Sequence, residues 1–268
     1  MINKILHFTV LLAFALLACQ RMALAEGSDY HLHINSEIMV PYNFYDNNDK
    51  VIGINIEIVK ALLERTNISA DINIYPWVRS YQLTLKQGNA GLMSTARTIE
   101  RESQFKWVGP LASGEGYLYQ LRSRTDIKIN SLQEAQNYLV AVVRGDVYQD
   151  IFEKLNFQVN KNLMLFSYNA EYIKPFLAGK VDLILGSDIV LPYMLAAGGS
   201  NIDAVKAVVK IPDTQGNYLA LNKNVPDDVV KKLNNALVEL KQSEEYDKII
   251  NKYKRLANTY STLGLYKK

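Results

Sequence analysis

Cysteine is nearly absent: Cys19 is the only one in the 268-residue chain. An intrachain disulfide is therefore excluded, and so is a thiolate cluster for a metal. Histidine is almost as scarce, with His7, His31 and His33 making up the whole set. No Ser-His-Asp triad can be assembled from these, and no His or Cys cluster is legible. Neither a metal nor a cofactor is expected. A surplus of one charge is lacking too, since 30 Lys and Arg stand against 27 Asp and Glu with no basic stripe, which excludes a nucleic-acid reading. Beyond the N-terminus no apolar run reaches the length of a membrane helix.

What is present at the start is an export pattern. Lys4 gives a positive end, Ile5 to Ala18 form a short apolar run, and Ala23-Leu24-Ala25 is a small-x-small cleavage site. Residues 1–25 are therefore expected to be a signal peptide and the mature protein to be periplasmic. A second reading stands beside it: Leu16-Leu17-Ala18-Cys19 resembles a lipobox, which would leave the protein lipid-anchored through Cys19.

The mature chain is organised around Gly88 to Trp107. Ala90 to Met93 suit a buried parallel strand. A hydroxyl-rich corner follows, Ser94-Thr95-Ala96-Arg97-Thr98, and Thr98 is placed to cap a short helix carrying Glu100 and Arg101. Strand end, hydroxyls, backbone N–H groups and two guanidiniums converge on one spot, an arrangement suited to a small carboxylate. Each arginine taken alone reads equally as a solvated helix-surface residue.

Before this stretch, His31 to Ile34 and Asp71 to Tyr75 alternate as strands, with helices predicted over Ile54 to Thr66 and Val78 to Gln87. After it, Ala112 to Gly116 reads as a crossing to a second lobe. There the capping box at Ser131 to Glu134 opens a short helix, and strands at Tyr138 to Val143, Met164 to Phe166, Val181 to Leu185 and Val205 to Val209 alternate with helices. Pro212 to Gly216 reads as the return, followed by a strand at Asn217 to Leu221 and two helices separated at Ser243. The expected fold is α/β, with a first lobe from 26–113 and 217–268 and a second from 114–216. Each lobe is a mostly parallel sheet flanked by helices, and the carboxyl ends of the strands face a shared cleft.

Five motifs follow in a fixed order: Pro41-Tyr42-Asn43-Phe44, Gly53 to Ile58, Thr98-Ile99-Glu100-Arg101, Val181 to Leu185, and Leu237 to Lys241 through Tyr246 to Ile250. Together they resemble the bacterial extracellular solute-binding proteins of the polar amino-acid type (family 3), the capture subunits of ABC importers. The resemblance implies a two-lobed periplasmic-binding-protein fold (type II) with two hinge crossings. It implies that Arg101 clamps a ligand α-carboxylate with Ser94 in support, and that the aromatics Tyr42 and Trp77 sandwich the ligand side chain. At Ala96 the family usually has Ser or Thr, so one contact is missing; Arg97 either compensates, or favours a ligand with a second acidic group, or is a solvated charge. In the second lobe Arg144, with Gly145 and Asp146 after it, replaces a small or hydroxyl residue. Ser187 stands where the family keeps an ammonium-binding Asp. Either Asp188 takes that role, or it caps the helix opening at Ile189 and the ligand lacks an α-ammonium.

The function expected on this basis is non-enzymatic capture of a small carboxylate-bearing solute for an ABC permease and its ATPase, by a monomer. One alternative is a dehydratase-like enzyme on the same fold, in which Glu115 or Asp146 would do the acid–base work. The other is a ligand sensor that docks to a membrane partner.

Overall fold

The structure is a computed structural model describing residues 30–46, 48–112, 114, 116–167, 171–211 and 216–257. Residues 1–29, with the expected signal peptide and Cys19, lie outside the described residues, as do Glu115, most of the expected return crossing at 212–215 and the chain after 257.

Among the described residues twelve strands form two five-stranded sheets and one small hairpin. The first sheet has the order β4-β1-β5-β12-β6, from Ser69–Ile74, His31–Ser36, Ala90–Ala96, Asn217–Asn222 and Phe105–Val108. β1 pairs parallel with β4 and β5, while β12 runs antiparallel to β5 and β6. The second sheet has the order β11-β7-β10-β8-β9, from Val205–Lys210, Gly116–Leu121, Leu183–Ser187, Val140–Val143 and Leu163–Phe166. β10, β8 and β9 are parallel, and β7 is antiparallel to both its neighbours. The sheets are thus mixed: each has a parallel part, and an antiparallel part where the chain crosses over. The hairpin pairs β2, Phe44–Tyr45, with β3, Val51–Ile52.

Both faces of each sheet are covered, as the apolar strand sequences require. On the first sheet, Leu32, Ile34, Met93, Leu219 and Leu221 point to one face. There they meet α1 (Ile54–Thr66) and the two C-terminal helices, α7 (Asp227–Lys241) and α8 (Glu244–Leu256). Leu92, Phe105 and Ala220 point the other way, onto Trp77, Tyr81 and Leu85 of α2 (Trp77–Lys86). In the second sheet Val140 and Val142 pack with Phe152 of α4 (Val147–Lys154). Ala141 and Ile184 face Phe176 of α5 (Ile173–Leu177) and Leu191, Met194 and Leu195 of α6 (Leu191–Ala197). The period-two alternation decides which helix each residue meets.

Several local expectations shift. The strand at Ala90 does not stop at Met93: it continues through the hydroxyl corner to Ala96, because Thr95 and Ala96 pair with Tyr218 and Asn217 of β12. Ser94 sits within it at φ 60°, left-handed, where the pairing register with β12 slips. The helix after Thr98, α3, is one turn long, Ile99–Glu102. Phe105–Val108, read from the sequence only as the tail of the central stretch, is an edge strand. The capping box at Ser131 forms only in part: the Glu134 N–H donates to Ser131 Oγ at 3.2 Å, but Glu134 Oε2 accepts from the Asn130 N–H at 2.7 Å rather than from that of Ser131, and the short helix starts at Glu134. The predicted N-cap role of Asp188 is not realised. α6 starts at Leu191, and it is Ser187 Oγ that accepts from the Val190 N–H at 3.2 Å.

Candidate functional site

The site begins where β1 ends. The chain leaves the strand at Ser36-Glu37 and folds into the loop of Pro41 and Tyr42, and Gly53 starts α1 beneath it. Gly53 has φ 139°, and a Cβ there would lie 2.2 Å from the Tyr42 carbonyl oxygen, so only glycine lets loop and helix approach this closely. The Pro41 and Tyr42 carbonyls accept from the N–H groups of Ile54 and Asn55 at 2.9 and 3.0 Å. A buried polar chain then ties the loop to β5. Asn55 Nδ2 donates to Ser94 Oγ at 2.8 Å, Ser94 Oγ donates to Asn43 Oδ1, and Asn43 Nδ2 donates to the Glu37 carbonyl. Ser94, expected to support a ligand carboxylate, is the central member of this chain.

Glu37 is the group that the sequence reading missed. It is half-buried, and burial together with the Asp146 carboxylate pushes its carboxyl up to about 7 against the opposing pull of Arg101. Asp146 opens α4 in the second unit. Burial pushes it above the ordinary carboxylate range, while the N–H groups of Tyr148 and Val147 and then Arg101 pull it back. Glu37 just after β1, Asp146 at the start of α4 and Arg101 of α3 therefore act on one another electrostatically across the two units. The signal available in sequence was position: Glu37 follows directly on a parallel strand, at the carboxyl end where ligands sit in open α/β sheets.

Arg101 is held for this task. Its guanidinium lies 5.2 Å from the Trp77 ring centroid and 5.8 Å from that of Tyr81, and Nη1 donates to the Ala96 carbonyl at 3.2 Å. Ala96 thus contributes its backbone. Trp77 serves as a stacking platform for Arg101, the first ring of a row running through Tyr81, Phe105, Trp107 and Tyr218 with centroid spacings of 5.5 to 5.8 Å. Arg97 lies over the far end of the same row, 5.7 Å from Trp107 and 5.6 Å from Tyr218. Its Nε and Nη2 form a two-point fork with Glu102 at 2.7 and 2.6 Å, which fastens α3 to the strand before it.

Tyr42 is 5% exposed and belongs to the core of the first unit, yet its hydroxyl end reaches the second. The Ser187 hydroxyl hydrogen-bonds it, Asp188 and Tyr148 lie nearby, and burial pushes its phenol up. Asp188 itself is exposed and pairs with Lys254 Nζ at 3.1 Å. Arg144 is exposed and has no ion pair among the described residues. The structure therefore brings Arg101 near Asp146 and Tyr42 near Ser187 across the two units, keeps Trp77 against Arg101 on the first, and ties Asp188 to α8. Lys154 of α4 and Glu100 of α3 approach to 3.6 Å across the opening.

Three comparisons bear on this geometry. The family model of the bacterial extracellular solute-binding proteins, family 3, matches residues 33–255. A probable histidine-binding protein of Neisseria gonorrhoeae is 24% identical over 258 residues, covering 89% of this chain and 93% of its own. Among solved structures, an ancestral arginine-binding protein bound to arginine superposes with a TM-score of 0.68 at 20% identity, covering 83% of this chain and 97% of that one. An ancestral amino acid-binding protein, described as a precursor of cyclohexadienyl dehydratase, gives 0.67 at 20% identity, covering 83% and 94%.

Proposed function

The chain belongs to the bacterial extracellular solute-binding proteins, family 3, and from that premise we propose that it captures a cationic α-amino acid between its two α/β units. The observation that carries this reading is the electrostatic coupling of Glu37, Asp146 and Arg101 across the two units. One fixed positive and two titratable negative groups complement an α-carboxylate, an α-ammonium and a cationic side chain. Arg101 takes the carboxylate as a two-point fork, with its plane set by Trp77 and Tyr81. Glu37 and Asp146 take the two cationic groups, which offset the cost of ionising buried carboxyls. Tyr42 and Ser187 close the space from opposite sides. The ligands in the names of the histidine- and arginine-binding relatives support this class.

The units would hinge at Ala112–Gly116 and around Gly216–Asn217, with the first lobe over 26–113 and 217–268 and the second over 114–216. The loaded form would be presented as a monomer to an ABC permease and its ATPase, after export to the periplasm on residues 1–25 or with a lipid at Cys19. No helix among the described residues is long and apolar enough to cross a membrane. One observation favours a second reading: a carboxyl near 7 in a cleft is also what a general acid needs.

Calorimetric titration of the purified protein with L-arginine, L-lysine, L-histidine, L-glutamine, L-glutamate and amine-free acids tests the proposal. Binding confined to the first three supports it. Tight binding of L-glutamate or an amine-free acid alone overturns it, and turnover of a cyclic acid would move the protein to the enzymatic reading.

A further inference from the structure

At the opposite end of β1 from the cleft, His31 and His33 project on one face two residues apart. The strand register sets Ser69 beside His31 and Asp71 beside His33. His31 Nε2 lies 3.0 Å from Asp71 Oδ2, and His33 Nδ1 lies 3.6 Å from the same oxygen. One ligand atom from each of the three side chains falls within 4.8 Å of the others. We propose that His31, His33 and Asp71 form a mononuclear site for a divalent first-row transition ion such as Zn²⁺ or Cu²⁺.

Geometry, chemistry and support all point to the same ion class. A tetrahedral ion with bonds of about 2.0–2.1 Å needs ligand atoms about 3.3 Å apart; the two histidine–Asp71 separations bracket that value, and the two histidine nitrogens lie within 4.8 Å of each other, a gap that a small ring rotation closes. Two imidazoles and one carboxylate suit zinc or copper and not calcium or magnesium. His31 also has the outer partner that metal-bound histidines use: its Nδ1 is 2.8 Å from Ser69 Oγ, which turns Nε2 toward Asp71. The backbone beneath is held, with the His33 N–H donating to the Asn89 carbonyl and Asn89 Nδ2 donating to the His31 carbonyl at 3.0 and 2.9 Å. Asp71 is exposed and both histidines are half-exposed, so an ion can enter and solvent can fill the remaining position. At about 3.3 Å per residue, Glu37 lies about 20 Å along the strand from His31 and about 13 Å from His33. The ion is therefore no part of the solute pocket. It joins β4, at the edge of the sheet, to β1.

The test uses the full chain carrying Cys19→Ser and His7→Gln, so that no other thiol or imidazole competes. After stripping with EDTA it is titrated with Zn²⁺ against a chromophoric chelator. The proposal expects one ion per chain, at least tenfold weaker uptake in Asp71→Asn and in His33→Gln, and a smaller loss in Ser69→Ala. Metal-free melting temperatures of the variants are measured alongside, so that misfolding is not read as lost ligation. Independently of any variant, the Cu²⁺-loaded protein should give an electron paramagnetic resonance spectrum with coupling to two imidazole nitrogens. Absence of one-to-one uptake, variants that bind as the parent does, or a spectrum without nitrogen coupling overturns the proposal.

Discussion

Replacing Glu37 with Gln tests the electrostatic logic of the cleft through pH. With its carboxyl at about 7, Glu37 is mostly protonated at about pH 6 and mostly ionised at about pH 8. If only the carboxylate accepts the ligand's cationic group, the competent fraction is about a tenth at the lower pH. The apparent dissociation constant of a cationic amino acid then falls about tenfold between these values, with nearly one proton released per ligand bound at about pH 6. Calorimetry in buffers of different ionisation enthalpy measures both quantities. The stability of the ligand-free fold should run the other way. The folded carboxyl is raised above its ordinary 4.5, so its protonated form is favoured in the fold and its contribution is fully present below about pH 4.5. That contribution is lost as pH rises through about 7, on the order of 3 kcal/mol before solvent screening at a half-buried site. Glu37→Gln should therefore bind weakly without proton release, and should melt above the parent at about pH 8 and close to it at about pH 5. A parent whose affinity is flat across this range and releases no proton, or a variant that retains the dependence, refutes the reasoning.

Arg101→Ala should weaken binding by roughly 10- to 100-fold, the equivalent of one charge-assisted contact of about 1.5–3 kcal/mol, and Arg101→Lys should recover little because the two-point fork is lost; isothermal titration reads both. Arg97→Ala removes the fork to Glu102 and the packing on Trp107 and Tyr218. Because that pair is more than a third exposed, thermal melts should show only about 1 kcal/mol of lost stability, with affinity changed far less than in Arg101→Ala. Gly53→Ala places a Cβ 2.2 Å from the Tyr42 carbonyl at φ 139°, so urea unfolding should show a loss of roughly 3 kcal/mol or more together with weaker binding through the displaced Tyr42 loop.

Local pattern by itself showed the elements and their order, though not the antiparallel pairing of β7 and β12 that makes both sheets mixed. The alternation at His31 to Ile34, the apolar face of Ile54 to Thr66 and the two C-terminal helices are visible because period two and period 3.6 are properties of neighbouring residues. The place of Arg101 was legible for the same reason, since strand end and helix start are adjacent in the chain. The partners of charged side chains were not. Arg97 read as a clamp or a free charge because sequence spacing does not reveal a fork to Glu102 across one short turn. Asp188 lost its expected capping place because α6 begins two residues later than its hydrophobic pattern implies, and Ser187 Oγ instead accepts from the Val190 N–H in the turn before it. Glu37 and Asp146 are 109 positions apart in the chain, and their elevated carboxyls come from burial between units that only the fold brings together. His31 and His33 stood in plain view in the sequence, but Asp71 joins them through a strand register that no local pattern encodes. Short-range order is written in neighbouring residues, whereas desolvation, pairing and register depend on distances that exist only once the chain has folded.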